Sequence, residues 1–313
     1  MGKRTREEIA KKVVYQTINE LVSESSLGLS AWCTLFGKTR QAYYKHQKRR
    51  EAQQMSNLAL LADVLLIRRD HKLMGTNKIR VILKDHPGMM GRDRFFDLMA
   101  THGLLVRKRK SRVYTTNSNH RFRKYGNLIK ELEIDRKNQV WVSDITYVKV
   151  GETPYYLSLI TDAYSNKIVG HCIAKSLEAK HSLSALKYAL KVEGNPEIHH
   201  SDRGIQYCCD EYTSALKQEN RAIQISMSKK GDPLENPIAE RVNGIIKNEY
   251  LCNYNLDKNN YKEQVATAIR LYNLERPHYS QNMKTPSEIH DGIINPLTTF
   301  FRNKNQSLTL TRN

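Results

Sequence analysis

The stretch QVWVSDITYVKVGETPYYLSLITDAYSNKIVGHCIAKS (residues 139–176) decides the fold. It holds three runs rich in β-branched and aromatic residues, at 139–150, 153–164 and 167–176. The first two are joined through Gly151 and the second pair through Ser165-Asn166, both turn chemistry, so they predict three successive antiparallel strands. The pattern then alternates. A helix is expected at 178–192, the short strand EIHHS at 197–201, a helix near 209–219, a strand at 222–227 and a helix over 236–251. Strands that meander and then alternate with helices predict one mixed α/β domain.

Three acidic residues stand out in this domain: Asp144 in WVSDITY (141–147), Asp202 in HHSDRGIQY (199–207) and Glu240 in GDPLENPIAERVNGIIK (231–247). A carboxylate inside an apolar strand is costly unless something positive meets it. A hard divalent cation such as Mg²⁺ suits carboxylate oxygens, and two such ions can clamp the attacking and leaving oxygens of a phosphodiester displacement. Along 236–251, Ile238, Val242, Ile245 and Ile246 share one helical face. Glu240, Asn243, Gly244 and Lys247 share the opposite one, at i, i+3, i+4 and i+7. Taken singly, Glu240 also fits a solvated helix face and Asp202 fits ordinary turn chemistry.

The charge distribution points the same way. The 313 residues carry 51 Lys+Arg against 32 Asp+Glu, a formal charge of +19. Residues 1–125 hold 27 basic and 10 acidic side chains, whereas the remaining 188 hold 24 and 22. A basic N-terminal part on a near-neutral globular part suggests a polyanionic partner, nucleic acid foremost. The five cysteines lack CxxC spacing and read as reduced thiols of a cytoplasmic protein, and His199-His200 with Cys208-Cys209 lack zinc spacing. No apolar run is long enough for a membrane span, and the first residues lack a signal-peptide core.

The basic part reads as helical. Residues 6–23 predict a helix. Residues 27–50, with a turn at Gly37, suit either a helix-turn-helix or a plain helical hairpin. A further helix is expected at 56–72, then helices at 77–84 and 92–102 around a turn at Pro87-Gly88. Arg92 and Arg94 open the last of these, where a recognition helix meets a groove. The run Arg107, Lys108, Arg109, Lys110 and Arg112 suits phosphate contacts that set affinity without reading sequence.

The blocks WVSDITY, YYLSLITDAYSNKIVGH, HHSDRGIQY and SMSKKGDPLENPIAE, closed by RPHYSQNMKTPSEI (276–289), resemble the DDE integrase core of insertion-sequence transposases. The specific likeness is to the second open reading frame product of the IS3 family, over roughly residues 60–290. The resemblance implies an RNase H-like core preceded by all-α helix-turn-helix segments. It implies divalent-metal catalysis, with Mg²⁺ or Mn²⁺ and two ions per site, and cleavage and joining of DNA at terminal inverted repeats and target. Asp144, Asp202 and Glu240 match the family triad as catalytic residues and metal ligands, and Lys247 matches a position contacting DNA near the scissile phosphate. A homo-oligomer on DNA ends is implied, with a partner protein from an upstream reading frame. Two departures exist: 37 residues separate Asp202 from Glu240 where about 35 are usual, and Glu235-Asn236 replaces the usual Asp-Asn, making Glu235 a competing carboxylate.

The implied layout is an N-terminal helical segment (1–55), a helix-turn-helix module (56–115), a basic linker (116–137), the catalytic core (138–255), a helical extension (256–294) and a disordered tail (295–313). Asp162 is expected to hold a turn, and His200 to support the core. The competing readings are an RNase H-like nuclease that hydrolyses without joining and a catalytically silent DNA-binding regulator.

Overall fold

A computed structural model of the chain describes residues 3–106, 122–218, 221–228 and 235–310. The basic run Arg107, Lys108, Arg109, Lys110 and Arg112 lies outside them. Two compact units form, Met1–Asp63 and Val64–Asn313.

In the first unit, α1 (Lys3–Glu24), α2 (Leu29–Leu35) and the first part of α3 (Arg40–Asp70) close a small core on Ile18, Cys33 and Tyr43. Tyr43 Oη donates to Asn19 Oδ1 at 2.9 Å and Trp32 Nε1 to Ser25 Oγ at 2.9 Å, so the buried polar ends are matched. The α2–α3 corner is the turn expected at Gly37, whose φ of +61° suits glycine. The separate helices expected at 27–50 and 56–72 are not both present, because α3 runs unbroken through residues 51–55. The intervening Glu, Ala and Gln residues are strong helix formers, and polarity alone does not stop a helix.

The second unit begins with α4 (Thr76–Ile82) and α5 (Arg92–Thr101), packed through Ile79, Ile82, Leu83, Phe95 and Met99. Arg68 ties their ends together, its guanidinium donating to the carbonyls of Lys72, Met74 and Leu104. The sheet follows: β1 (Val140–Val150), β2 (Thr153–Asp162), β3 (Ile168–Ala174), β4 (Ile198–Ser201) and β5 (Gln224–Met227), in the order β3-β2-β1-β4-β5. Strand β2 pairs antiparallel with β1 and β3, while β1, β4 and β5 pair in parallel. The parallel crossovers are α6 (Ala179–Glu193), and then α7 (Ile205–Cys208) with α8 (Asp210–Leu216). That order, with one strand reversed and helices on both faces, is the RNase H-like arrangement.

The alternation of β1 sorts its side chains between two cores. Trp141 and Ile145 pack toward the cluster with Ala185, Leu186 and Tyr212, whereas Val148 and Val150 join the cluster with Val242, Ile246 and Tyr272. Gly170 permits β3 to lie close on α6, since a Cβ there would come within 2.5 Å of the Ala185 carbonyl oxygen. Strand β1 has eleven residues and β4 only four, and their pairing ends at Ser143–Ser201. From Asp144 onward, that edge of β1 is left without β4.

After the sheet come α9 (Pro237–Ile245), a π-helical turn at Ile246–Tyr250, α10 (Tyr261–Glu275), α11 (Pro286–His290) and α12 (Pro296–Leu310). The tail expected to be disordered is thus helical over 296–310, with Phe301 buried. These last helices also anchor α4. His71 contacts Tyr250 Oη at 3.1 Å and Glu275 Oε2 at 3.0 Å, and Asn305 Nδ2 reaches the Asp85 carbonyl at 3.4 Å. The buried Arg276 forks onto both oxygens of Glu249 at 2.7 and 2.8 Å. Lys78 on α4 is buried in this region, and burial together with the Arg276 charge pushes its pKa down to about 7. Among the described residues no helix is long and apolar enough to cross a membrane.

Candidate active site

Asp144 lies where β1 outruns β4. Its Oδ2 accepts from Asn243 Nδ2 at 2.8 Å and its Oδ1 from the Ile145 N–H at 2.8 Å. Both donors are neutral, and among the described residues Asp144 forms no ion pair. Burial, then the Asp202 charge, push its pKa up to about 7 against the Asn243 and Ile145 hydrogen bonds, and Glu240 adds to the rise. Asp144 and Asp202, from segments distant in sequence, line one cavity, and Glu240 on α9 is near enough to add the smallest part of the rise.

Asp202 follows β4 directly, and its Oδ1 accepts from the Gly204 N–H at 2.9 Å, closing the DRG turn. Gly204 has an ordinary φ of −63°, so its need is for space. A Cβ there would sit 2.9 Å from Asp202 Oδ1 and 3.0 Å from Gln206 Oε1. Glu240 lies in the first turn of α9, exposed, with its pKa raised by partial burial. Asn243, one turn later, clips α9 onto β1 through Asp144, and its own Oδ1 is buried without a hydrogen-bond partner among the described residues.

Lys247 falls in the π-helical turn, its Nζ 3.8 Å from the ring centroid of Tyr147, close enough for a cation–π contact. Desolvation lowers its pKa. Sequence spacing put Lys247 on the Glu240 face. It does not reveal the π-turn, which shifts the helical phase after Ile245. A Cβ at Gly244 would meet nothing within 4 Å, so the surface between Glu240 and Lys247 is open.

His199 and His200 support rather than face the acids. His199 Nε2 lies in hydrogen-bond contact with Ser143 Oγ at 2.8 Å and Tyr212 Oη at 3.0 Å, and burial lowers its pKa to about 3. His200 bonds Ser226 Oγ at 2.8 Å and the Glu235 carbonyl at 3.1 Å, fixing the chain that enters α9. Asp162 is a turn residue, as expected. Its carboxylate takes Ser165 N and Oγ on one oxygen and the Asn138 N–H on the other. Arg92 and Arg94 occupy the exposed first turn of α5, where Arg92 lies over the Phe96 ring at 5.3 Å and pairs loosely with Asp93.

Sequence reasoning missed Asn243 as a partner of Asp144, and missed Tyr147, Gln206 and Tyr207. These line, with Asp144 and Asp202, a cavity of about 350 Å³. The signal was present in the motifs themselves, as the aromatic residue three positions after Asp144 and the Gln-Tyr pair following DRG. Tyr207 is 3% exposed, and burial with the charges of Tyr212, Asp144 and Asp202 holds its hydroxyl protonated, well above its usual pKa.

Comparison with known proteins gives the same reading. Two descriptions, both "Integrase core domain", match residues 134–233 and 221–286. The insertion element IS600 uncharacterized 31 kDa protein of Shigella sonnei is 33% identical over 257 residues, covering 79% of this chain and 92% of that protein. The transposase for insertion sequence element IS904 of Lactococcus lactis is 26% identical over 235 residues, covering 68% and 92%. The transposase for insertion sequence element IS629 of Shigella sonnei is 32% identical over 179 residues, covering 57% and 60%. Among solved structures, the HTLV-2 integrase catalytic core domain in complex with magnesium (trimeric form) is 25% identical, with a TM-score of 0.42, covering 50% of this chain and 97% of that one.

Proposed function

This chain belongs to the integrase-core family of insertion-sequence transposases, and from that membership we propose that it cuts a phosphodiester at the terminal inverted repeats of its element and joins the freed 3′-hydroxyl to target DNA. The order of its sequence blocks supports the IS3 branch. Asp144, Asp202 and Glu240 are the catalytic carboxylates. The observation that carries the proposal is Asp144 itself, half-buried beside Asp202 in one cavity, held by neutral donors among the described residues and pushed up to about pKa 7.

The donor set fits Mg²⁺ or Mn²⁺. Asp144 and Asp202 line one cavity, Asn243 beside Asp144 has a buried amide oxygen without a hydrogen-bond partner among the described residues, and hard divalent ions select oxygen ligands. Asp144, Asp202 and Glu240 would hold the ions, two per site. Bound there, they supply Lewis-acid polarisation of the scissile phosphate and acidify the attacking oxygen.

The protein's own part is orientation. Asn243 fixes which way the Asp144 carboxylate points, and the Gly204 N–H does the same for Asp202. Lys247 offers a partly desolvated ammonium to the phosphate beside the one cut. Hydrolysis leaves a 3′-hydroxyl on the element end. That hydroxyl displaces a second 3′-oxygen at phosphorus, with no covalent link to protein. Arg92 and Arg94 read bases from α5, the run 107–112 contacts phosphates, and the chain acts as a homo-oligomer on paired ends.

The test is joining of duplex oligonucleotides carrying the element's own ends. Products should require Mg²⁺ or Mn²⁺. Calcium should support binding with little chemistry, because its looser coordination positions the oxygens poorly. Full activity in EDTA would end the metal reading. Cutting without joining would make the protein a nuclease.

A further inference from the structure

The cavity beside Asp144 and Asp202 has a construction that phosphate chemistry alone does not require. The β1–β2 ribbon contributes Tyr147 and Tyr156, register partners on adjacent antiparallel strands, whose Cβ atoms lie about 5 Å apart. Leu177 and Ile205 also line it and stay 41% and 44% exposed, while Gln206 and Tyr207 next to Ile205 are buried. Tyr207 lines it together with the two aspartates, and its buried hydroxyl has no hydrogen-bond partner among the described residues. The result is a slot lined by two tyrosines and two exposed aliphatic side chains, with one unmatched polar group in the company of the acids.

We propose that this slot holds the unpaired base of a nucleotide adjoining the scissile phosphate, stacked on the Tyr147–Tyr156 pair and met at its edge by Tyr207. The assignment rests on the reading of Asp144, Asp202 and Glu240 as the place where DNA is cut. A planar heterocycle suits a cavity lined by two tyrosines and two branched aliphatic side chains. At about 350 Å³ the cavity lies at the small end of ligand pockets, room for one nucleoside and far too little for a duplex, so the base enters only after leaving the stack. Lys247, over the Tyr147 ring at 3.8 Å, joins the two halves of the site: a phosphate drawn to its ammonium brings the attached base to the tyrosines.

The test uses the full chain and duplexes carrying the element's own end. In the first arm, 5-iodouracil replaces each of the three bases on either side of the cut, in turn. Irradiation in Ca²⁺, which does not depend on cleavage, should crosslink one position to Tyr147 or Tyr156, mapped by peptide mass spectrometry. In the second arm, an abasic site is scanned through the same positions under single turnover in Mg²⁺. Wild type should slow about ten-fold or more at the crosslinked position, within the range of base–aromatic stacking. Tyr147→Ala should be slow on intact DNA and lose nothing further at that position, because the two changes remove one interaction. Tyr147→Phe, which keeps the ring, should restore the sensitivity. Ile205→Asp, at an exposed position where folding is not at stake, should abolish it. A mismatch opposite the crosslinked base should speed wild type.

Crosslinks absent at every position, or abasic and Tyr147→Ala effects that multiply everywhere, would overturn the slot. A crosslinked chain that never cuts or joins would keep the slot and overturn the transposase chemistry, so the two failures are separable.

Discussion

Two groups of acids gather at different points along β1, and their electrostatics are opposite. Near the start of β1, the buried Asp162, the half-buried Glu193 and the more exposed Asp291 are met by built-in cations. Lys167 Nζ lies 2.6 Å from Glu193 and 2.9 Å from Asp291, and His290 Nε2 is 3.2 Å from Glu193. The His290 contact leads in drawing Glu193 down to about 2, and Asp162 is also lowered, because four hydrogen bonds from His290, Ser165 and Asn138 outweigh its burial. Farther along β1, the half-buried Asp144 has, among the described residues, an amide and a backbone N–H as its hydrogen-bond donors, and it moves the other way, to about 7. Desolvation acts on both. What differs is whether the chain supplies the positive charge itself. Glu193, His290 and Asp291 have donor atoms close enough to hold a metal ion, but Lys167 already stands among them. That group carries its own countercharge, whereas on the proposed function the Asp144 group takes its countercharge from a bound cation.

The largest expected effect breaks the comparison at its chemical end. Asp144→Asn, Asp202→Asn or Glu240→Gln should each lower joining by at least about 10²–10³-fold while DNA binding persists, since each removes a charge that acts on the transition state. Strong joining by any one of these variants in Mg²⁺ would remove that residue from the site. Glu235→Gln should be mild, because Glu235 meets His200 through its backbone carbonyl.

Next in size is the structural end. Lys167→Met leaves Glu193 and Asp291 short of a cation, and removing the shared partner of a half-buried ionic group costs about 2 kcal/mol. Urea denaturation should show the loss, while joining per folded molecule stays at the wild-type level. A variant as stable as wild type would mean that the group contributes nothing net.

A smaller effect is the response to metal. Saturating Mn²⁺ should raise the stability of wild type by about 2–3 kcal/mol at 100 times its dissociation constant, and should leave Asp144→Asn nearly unmoved. An equal shift in both would place the ion elsewhere.

The smallest is a difference of slope with pH. Asp144 binds a proton more tightly folded than unfolded, so its contribution to stability falls as pH rises from about 4 to 7. Glu193 does the reverse: its contribution is present above about 4.5 and is lost as pH falls toward 2. His290, raised by Asp162 and Glu193 against its burial, contributes fully below about 6.5 and loses that contribution as pH rises through its folded value. Metal-free Asp144→Asn should therefore lack the decline between pH 4 and 7 that wild type shows in thermal melts.

The sequence made the strands, their turns and the three acids legible, because each leaves a local mark. Alternation marks β1, Gly151 and Asn166 mark turns of positive φ, and a charge in an apolar run marks Asp144. What stayed hidden is non-local. Asp162 and Glu193 are both met by His290, roughly a hundred residues away in the chain, and no spacing rule reaches that far. The break expected in α3 and the disorder expected after 295 were errors of another kind, in which polar composition outweighed helix signals. Asn295 caps Leu297 N–H at 3.0 Å and Pro296 opens α12, both standard starts.

The contacts of His71 with Tyr250 and Glu275 bear on how a cut position is chosen along DNA. They fasten the helical module holding α4 and α5 to the end of the helical run that carries Glu240, independently of the stretch 107–121 that joins them in sequence. On the proposed reading of α5 as the base-contacting helix, the number of base pairs between what it reads and the phosphate that is cut follows from side-chain packing, as a caliper is set by its screw. Lengthening 107–121 by several Gly-Ser residues should leave the cleavage position unchanged to the nucleotide. His71→Ala with Tyr250→Phe should scatter it, as read on a sequencing gel.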